Sequence, residues 1–201
     1  MLLALAAAAG HRIVGVCDPR LAADRVQRWH GLPVLGDDAA AELESPGAVA
    51  LINGIGQLPG GTARKQLFAR LRARGFDFPA MVHPAAWVAP GVKLDEGAQI
   101  MAGAVIQPGS QIGVNSIVNT RAGIDHDCSI GANVHIAPGA TLCGGVTIGD
   151  GAFIGAGAIL THGATVGRDA IVHAGAVLAR DLPCGQILCG PASRTTTQRT
   201  T

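Results

Sequence analysis

From residue 82 to residue 178 every sixth position is aliphatic: Val82, Val88, Leu94, Ile100, Ile106, Ile112, Val118, Ile124, Ile130, Ile136, Leu142, Ile148, Ile154, Leu160, Val166, Val172 and Leu178. No residue is inserted or lost along the way. A period of six fits neither the 3.6-residue turn of a helix nor simple strand alternation, so it predicts a repeating coil of short strands and regular corners. In each hexad the aliphatic residue points into a narrow core, and the small residue at the fifth position fits where the chain passes close to the axis. Gly, Asn or Asp at the third and fourth positions (Gly109, Asn115, Asp127, Gly139, Gly151, Gly157) tolerates the backbone angles of tight corners. Three hexads close one triangular coil of about 18 residues, and successive coils stack at about 4.8 Å. The expected architecture over 81–182 is therefore a parallel β-helix.

Before Val82 the period of six is absent. The chain reads instead as helix (1–9, with Gly10 as its C-cap), strand (12–17), helix (22–29), strand and short helix (34–44), strand (48–53) and an Arg-rich helix (62–74). That alternation predicts a small α/β domain over 1–80 with a parallel sheet, an incomplete Rossmann-like unit. Ligands of such sheets bind beyond the carboxyl ends of strands, which draws attention to Asp18 and to Asn53-Gly54-Ile55-Gly56. Ordinary turn roles for Asp18-Pro19 and Asn53-Gly54 are the alternative. The chain starts inside what reads as the domain's first helix, without a preceding strand or glycine-rich phosphate loop, and truncation is the favoured explanation. Residues 183–201 read as a C-terminal extension.

Composition supports this division. With 29 Gly and only 3% aromatic residues, the chain is unlike an ordinary globular core, and the repeat accounts for both figures. A formal net charge of +1 without a block of like charge excludes an electrostatic nucleic-acid surface and a polybasic membrane anchor. The opening MLLALAAAAG lacks a basic n-region and is too short to span a bilayer. Five cysteines without C-x-x-C pairs favour a reducing cytoplasm, and Cys128, at a small fifth position, reads as packing rather than nucleophile.

Most of the repeat is chemically mute, but Asp125-His126-Asp127 is not. His126 falls at an outward-projecting turn position, and flanking carboxylates favour the imidazolium and fix its tautomer, making it a better base near neutral pH. An inconsequential surface histidine is the alternative. His135 lies half a coil further on, on another side of the prism, so one chain cannot easily converge the two imidazoles. Prisms packed around a threefold axis can, which predicts catalysis at a subunit interface.

The run from Ile124 to Ala158, I-D-H-D-C-S-I-G-A-N-V-H-I-A-P-G-A-T-L-C-G-G-V-T-I-G-D-G-A-F-I-G-A-G-A, resembles the hexapeptide-repeat sugar O-acyltransferases of the sialic acid O-acetyltransferase type. Bacterial UDP-amino-sugar N-acetyltransferases are their close relatives. The resemblance covers nearly the whole chain, up to a G-x-P-A-like ending at Gly190-Pro191-Ala192. It implies a left-handed β-helix, a homotrimer with interfacial sites, and transfer of an acetyl group from acetyl-CoA directly to a hydroxyl or amine of a sugar or nucleotide-sugar. It further implies His126 as general base, Asp127 as the acid that raises its basicity, and His135 as a contact to acetyl-CoA. Gly144, Ala156 and Ala174 match backbone contacts to the acyl donor, and Asp18, Gly56 and Arg64 fall near sugar-nucleotide positions. No metal is implied.

Two other functions fit the architecture. In a β-helical carbonic anhydrase three histidines hold zinc between subunits, and His126 and His162 are two coils apart. That is about 9.6 Å along the axis, too far for one metal within one chain, and position 167 is Gly where a further histidine is needed. A trimeric scaffold that binds a sugar nucleotide without acyl transfer is the third possibility. His162, His173, His83 and His30 lack acidic companions and read as surface or packing residues.

Overall fold

The computed structural model describes residues 2–190. Met1 of the first helix and Pro191-Ala192 of the G-x-P-A ending lie outside the described residues, as does most of the extension. From Met81 the chain winds into a three-sided prism of two-residue strands. Its first face has seven strands, starting at Met81–Val82 and ending at Ile187–Leu188; its second has six, starting at Trp87–Val88; its third has five, starting at Lys93–Leu94. All pairs are parallel, and partners such as Ile117 with His135 and Val118 with Ile136 are one 18-residue coil apart.

The hexad explains this geometry. Ile100, Val118, Ile136, Ile154 and Val172 stack inside the first face, fully buried, and the fifth-position residues Ala104, Ala122, Cys128, Ala140, Ala152 and Ala158 fill the remaining axial space. The fourth position carries a positive φ through the prism, on glycine at Gly109, Gly139, Gly151 and Gly157 but also on Asn115, Arg121, Asp127, Asn133 and Asp169. Asn and Asp tolerate that region through local hydrogen bonding, whereas Arg121 has no such help. The coil shortens at its end: Ile171 pairs with Ile187 rather than with a residue 18 further on, so the prism continues past the boundary expected at 182.

The first eighty residues depart from the expected parallel sheet. Three α-helices form, α1 (Leu2–Ala8), α2 (Pro19–Ala23) and α3 (Ala63–Ala73), and the short helix expected within 34–44 is a 3-10 helix at Ala40–Leu43. Three strands form one mixed sheet in the order β1 (Val16–Cys17), β3 (Leu32–Gly36), β2 (Arg28–Trp29), and only β1 and β3 are parallel. The helix expected over 22–29 starts earlier, because Asp18 caps it and Pro19 opens it, and stops at Asp24 before a left-handed Arg25. Arg28 and Trp29 then enter a hairpin whose two turn residues, His30 and Gly31, both have positive φ. The strand expected over 48–53 joins no ladder; its Leu51 N–H donates instead to the Asp77 carbonyl. Gly10, with φ +80°, ends α1 as expected.

This first unit lies on the first face of the prism. Leu5 and Ala6 of α1 pack against Met81, Met101 and Ile117, while Phe68 and Leu71 of α3 pack with Phe76 and Phe78. Arg64 of α3 ties the two units together: only 2% exposed, its guanidinium donates to the carbonyls of Asn53, Ile55 and Asn115. Truncating a stacked core residue should be costly, since neither neighbouring coil can collapse into the gap without breaking register. Ile136→Ala should lower unfolding free energy by about 2–5 kcal/mol, measured by urea denaturation.

Candidate active site

His126 stands at the third hexad position on the edge between the second and third faces. Its side chain is 54% exposed, and its Nδ1 lies 2.8 Å from Asp127 Oδ2. A carboxylate only accepts, so Nδ1 carries the proton and Nε2 is left as the basic nitrogen. Asp125 fixes the backbone beside it by accepting from the His126 N–H at 2.8 Å. The hydrogen bond to Asp127 raises the His126 pKa above the ordinary histidine value; desolvation opposes it next in size, and the charges of Asp125 and then Asp127 add smaller upward contributions.

One coil further along the same edge is Gly144, and two coils along is His162. A Cβ added to Gly144 would lie 2.5 Å from His126 Nε2, so only glycine lets the ring settle over that backbone. Among the described residues the Gly144 N–H donates to no protein acceptor. Cys128 faces the core: its thiol lies 3.4 Å from the Cys143 carbonyl, and burial raises its pKa. That environment keeps the thiol protonated and fits a packing role.

His135 sits in a different world, half a coil away on the first face. It is buried between Asn119, whose Nδ2 is 3.4 Å from His135 Nε2, and Phe153, whose ring centroid is 5.1 Å away. Burial first, and the Arg64 charge second, push its pKa down to about 4. Its Nδ1 and the Nη2 of Arg64 are both buried without a partner. Within the chain His135 does not meet His126.

The other expected positions form two further groups. Ala156 and Ala174 are exposed on the edge between the first and second faces. Lower on that edge lies an open groove of about 600 Å³ lined by Ala102, Gly103, Thr120, Arg121, Pro138 and Gly139. In the first unit, Asp18 is occupied as the cap of α2, accepting from the Arg20 and Leu21 N–H groups. Asn53 makes a turn through the Ile55 N–H, Gly56 borders open space, and Arg64 is committed to the inter-unit tie. A cavity of about 230 Å³ lined by Asp38, Ile55, Ala63, Gln66, Leu67 and Arg70 lies beside them. Asp38, Gln66 and Arg70 were not singled out by the sequence reading, although Gly36-Asp37-Asp38 after a strand is the kind of signal that marks such a site.

Among the described residues no cluster of three or more His, Cys, Asp or Glu side chains could hold a metal ion, and no helix is long and apolar enough to cross a membrane. The chain does, however, bring His126 and His162 closer than the coil spacing suggests, with ring centroids 6.4 Å apart.

Residues 145–180 match the family model described as bacterial transferase hexapeptide (six repeats). No curated protein sequence matches the chain. Among solved structures it is similar to a histidine-to-alanine variant of GDP-perosamine N-acetyltransferase from Caulobacter crescentus in complex with CoA and GDP-perosamine. The two share 37% identity over 92% of this chain and 86% of that one, with a TM-score of 0.82. The acetyltransferase domain of PglB from Neisseria gonorrhoeae, in complex with acetyl coenzyme A, is similar at 37% identity over 91% and 86%, with a TM-score of 0.82. WeeI from Acinetobacter baumannii follows at 26% identity over 88% and 82%, with a TM-score of 0.77.

Two titrations check the local electrostatics. Asp127→Asn should lower the His126 midpoint, followed by NMR, because the largest cause of its elevation is removed. His135 is neutral when folded down to about pH 4, against an ordinary value of 6.5. Its contribution to stability is complete above pH 6.5, falls as the unfolded chain takes up the proton first, and is lost as pH drops through about 4. His135→Phe should flatten that part of the acid-denaturation profile.

Proposed function

The chain belongs to the bacterial hexapeptide-repeat sugar acetyltransferases, and from that membership we propose that it transfers the acetyl group of acetyl-CoA to the amine of a nucleotide-linked amino sugar. The observation that carries this reading is His126, with Nδ1 held by Asp127 and Nε2 unpaired against the Gly144 backbone. His126 takes the proton of the attacking amine as the nitrogen–carbon bond forms. The Gly144 N–H, free of protein acceptors, is the candidate donor to the oxyanion. The thioester C–S bond breaks with its electron pair on sulfur, and the proton held by His126 completes coenzyme A. The amine acceptor is favoured by the similarity to an N-acetyltransferase crystallised with GDP-perosamine.

The proposed assembly is a homotrimer. Trp87, Val105, Ile159 and Val177 project from the second face as exposed apolar side chains, whereas Lys93, Gln111, Ser129, Thr147 and Thr165 make the third face polar. The first face is partly covered by the first unit. With second faces turned inward, the His126 edge of one prism would approach the Ala156 and Ala174 edge of the next, so donor contacts and base come from different subunits. The cavity beside Asp38, Gln66 and Arg70 is the candidate seat for the acceptor's nucleotide, with Gly56 nearby.

Full-length protein, acetyl-CoA and a panel of GDP-, UDP- and CMP-linked sugars, followed by thiol release, test the reading. His126→Ala should lower turnover by about 10²- to 10⁴-fold while coenzyme A binding and the oligomer persist. Near-normal turnover would remove His126 from its role.

A further inference from the structure

His162 has no part in the mechanism above, yet the fold aims it at the same place. Positions 126, 144 and 162 occupy one edge at intervals of one coil, as His, Gly and His. The two imidazoles lean toward each other across Gly144, with centroids 6.4 Å apart and ring planes at 46°. A Cβ on Gly145 would lie 3.8 Å from His162 Cε1, so the second ring borders the same glycine platform that Gly144 opens beneath the first. The separation is too long for a direct ring-to-ring hydrogen bond and suits one reacting atom between them. His162 is exposed, and no hydrogen bond engages its ring among the described residues.

We propose that His162 is a second catalytic residue, which donates an N–H hydrogen bond to the sulfur of the acyl donor as the thioester breaks. This rests on the acetyl-transfer reading. The attacking nitrogen must lie at His126 Nε2, because its proton goes there. The carbonyl oxygen falls to the unpaired Gly144 N–H. Two substituents of the tetrahedral carbon remain, methyl and sulfur, and only sulfur can accept a hydrogen bond, so the proposal sets sulfur along the edge toward the later coils, where His162 stands. Those are also the levels of Ala156 and Ala174, along which the rest of the donor would run in the neighbouring prism.

The step balances without a further reactant. The N–C bond forms as His126 takes the amine proton; the C–S bond breaks and its electron pair stays on sulfur, which is hydrogen-bonded to the His162 N–H. The proton then passes from His126 to sulfur, giving coenzyme A and the amide. His162 donates a hydrogen bond without giving up its proton, so the proton count of the step is unchanged. A hydrogen bond to a charged acceptor is stronger than one between neutral groups, and here its full strength is reached only as negative charge develops on sulfur.

The test compares His162→Leu with His162→Gln, which keeps an N–H donor. With acetyl-CoA and the best acceptor of the panel, His162→Leu should lower kcat by about 10- to 100-fold with acceptor KM little changed, and His162→Gln should recover much of the loss. With phenyl thioacetate as donor, whose arylthiolate leaves without assistance, the deficit of His162→Leu should shrink. Calorimetry supplies a reading independent of turnover: wild type should prefer coenzyme A to desulfo-coenzyme A, and His162→Leu should lose that preference. A kcat within about twofold of wild type, or an equal deficit with both donors, would overturn the role of His162. If His126→Ala abolishes turnover while His162→Leu does not, only this inference falls; if the wild-type protein does not bind coenzyme A, the acetyl-transfer reading falls and this inference with it.

Discussion

The structure depends on one constraint, the closure of each backbone hydrogen bond onto the coil one turn away. Strands of two residues cannot support themselves, so Ile117 donates to Val134, Asn119 to Ile136 and Gly123 to Ala140, each to the next coil. A buried amide left unpaired is costly, and the ladder therefore enforces an 18-residue circumference along the prism until its last, shortened coil. The aliphatic column inside adds the apolar gain, but the column alone would tolerate slippage. The ladder makes a side chain's number a statement of its place: what is 18 residues away is directly above or below.

That constraint is local and repeated, which is why the prism was legible in the sequence down to its corners, where Gly109, Asn115 and Asp127 adopt the positive φ their types suggest. The first unit was less legible because single events decide it. A left-handed Arg25 ends α2, a His30-Gly31 turn converts the end of an expected helix into a hairpin, and residues 48–53 have strand-like composition without a ladder to join. At the site, His126 and Asp127 were readable because they are adjacent in the chain. The lean of His162 toward His126 was not, since it depends on side-chain directions over two glycines that the coil spacing does not contain.

The two histidines of the central run show how far position overrides residue type. His126 projects from an edge into solvent and is held by a carboxylate, so its basicity rises. Nine residues later His135 projects from a face that the first unit covers, close enough to Arg64 to feel its charge, and its basicity collapses. Sequence spacing separated their sides of the prism; the covering that neutralises His135 comes from a segment some seventy residues earlier and leaves no local signature. At neutral pH only His126 combines exposure with a fixed basic nitrogen.

Chemistry belongs on the edges of this prism for a further reason. Along a face, alternate side chains point inward and are consumed by the core, and outward ones must either meet solvent or be covered. At an edge the chain turns, third-position side chains splay outward, and their N–H groups need not enter the ladder, as at Gly144. A glycine there gives a neighbouring side chain room, as the buried Gly144 does for the ring of His126. The edge is thus the one place where a free donor, an oriented base and an open approach can coincide without breaking the coil-to-coil bonding that holds the fold.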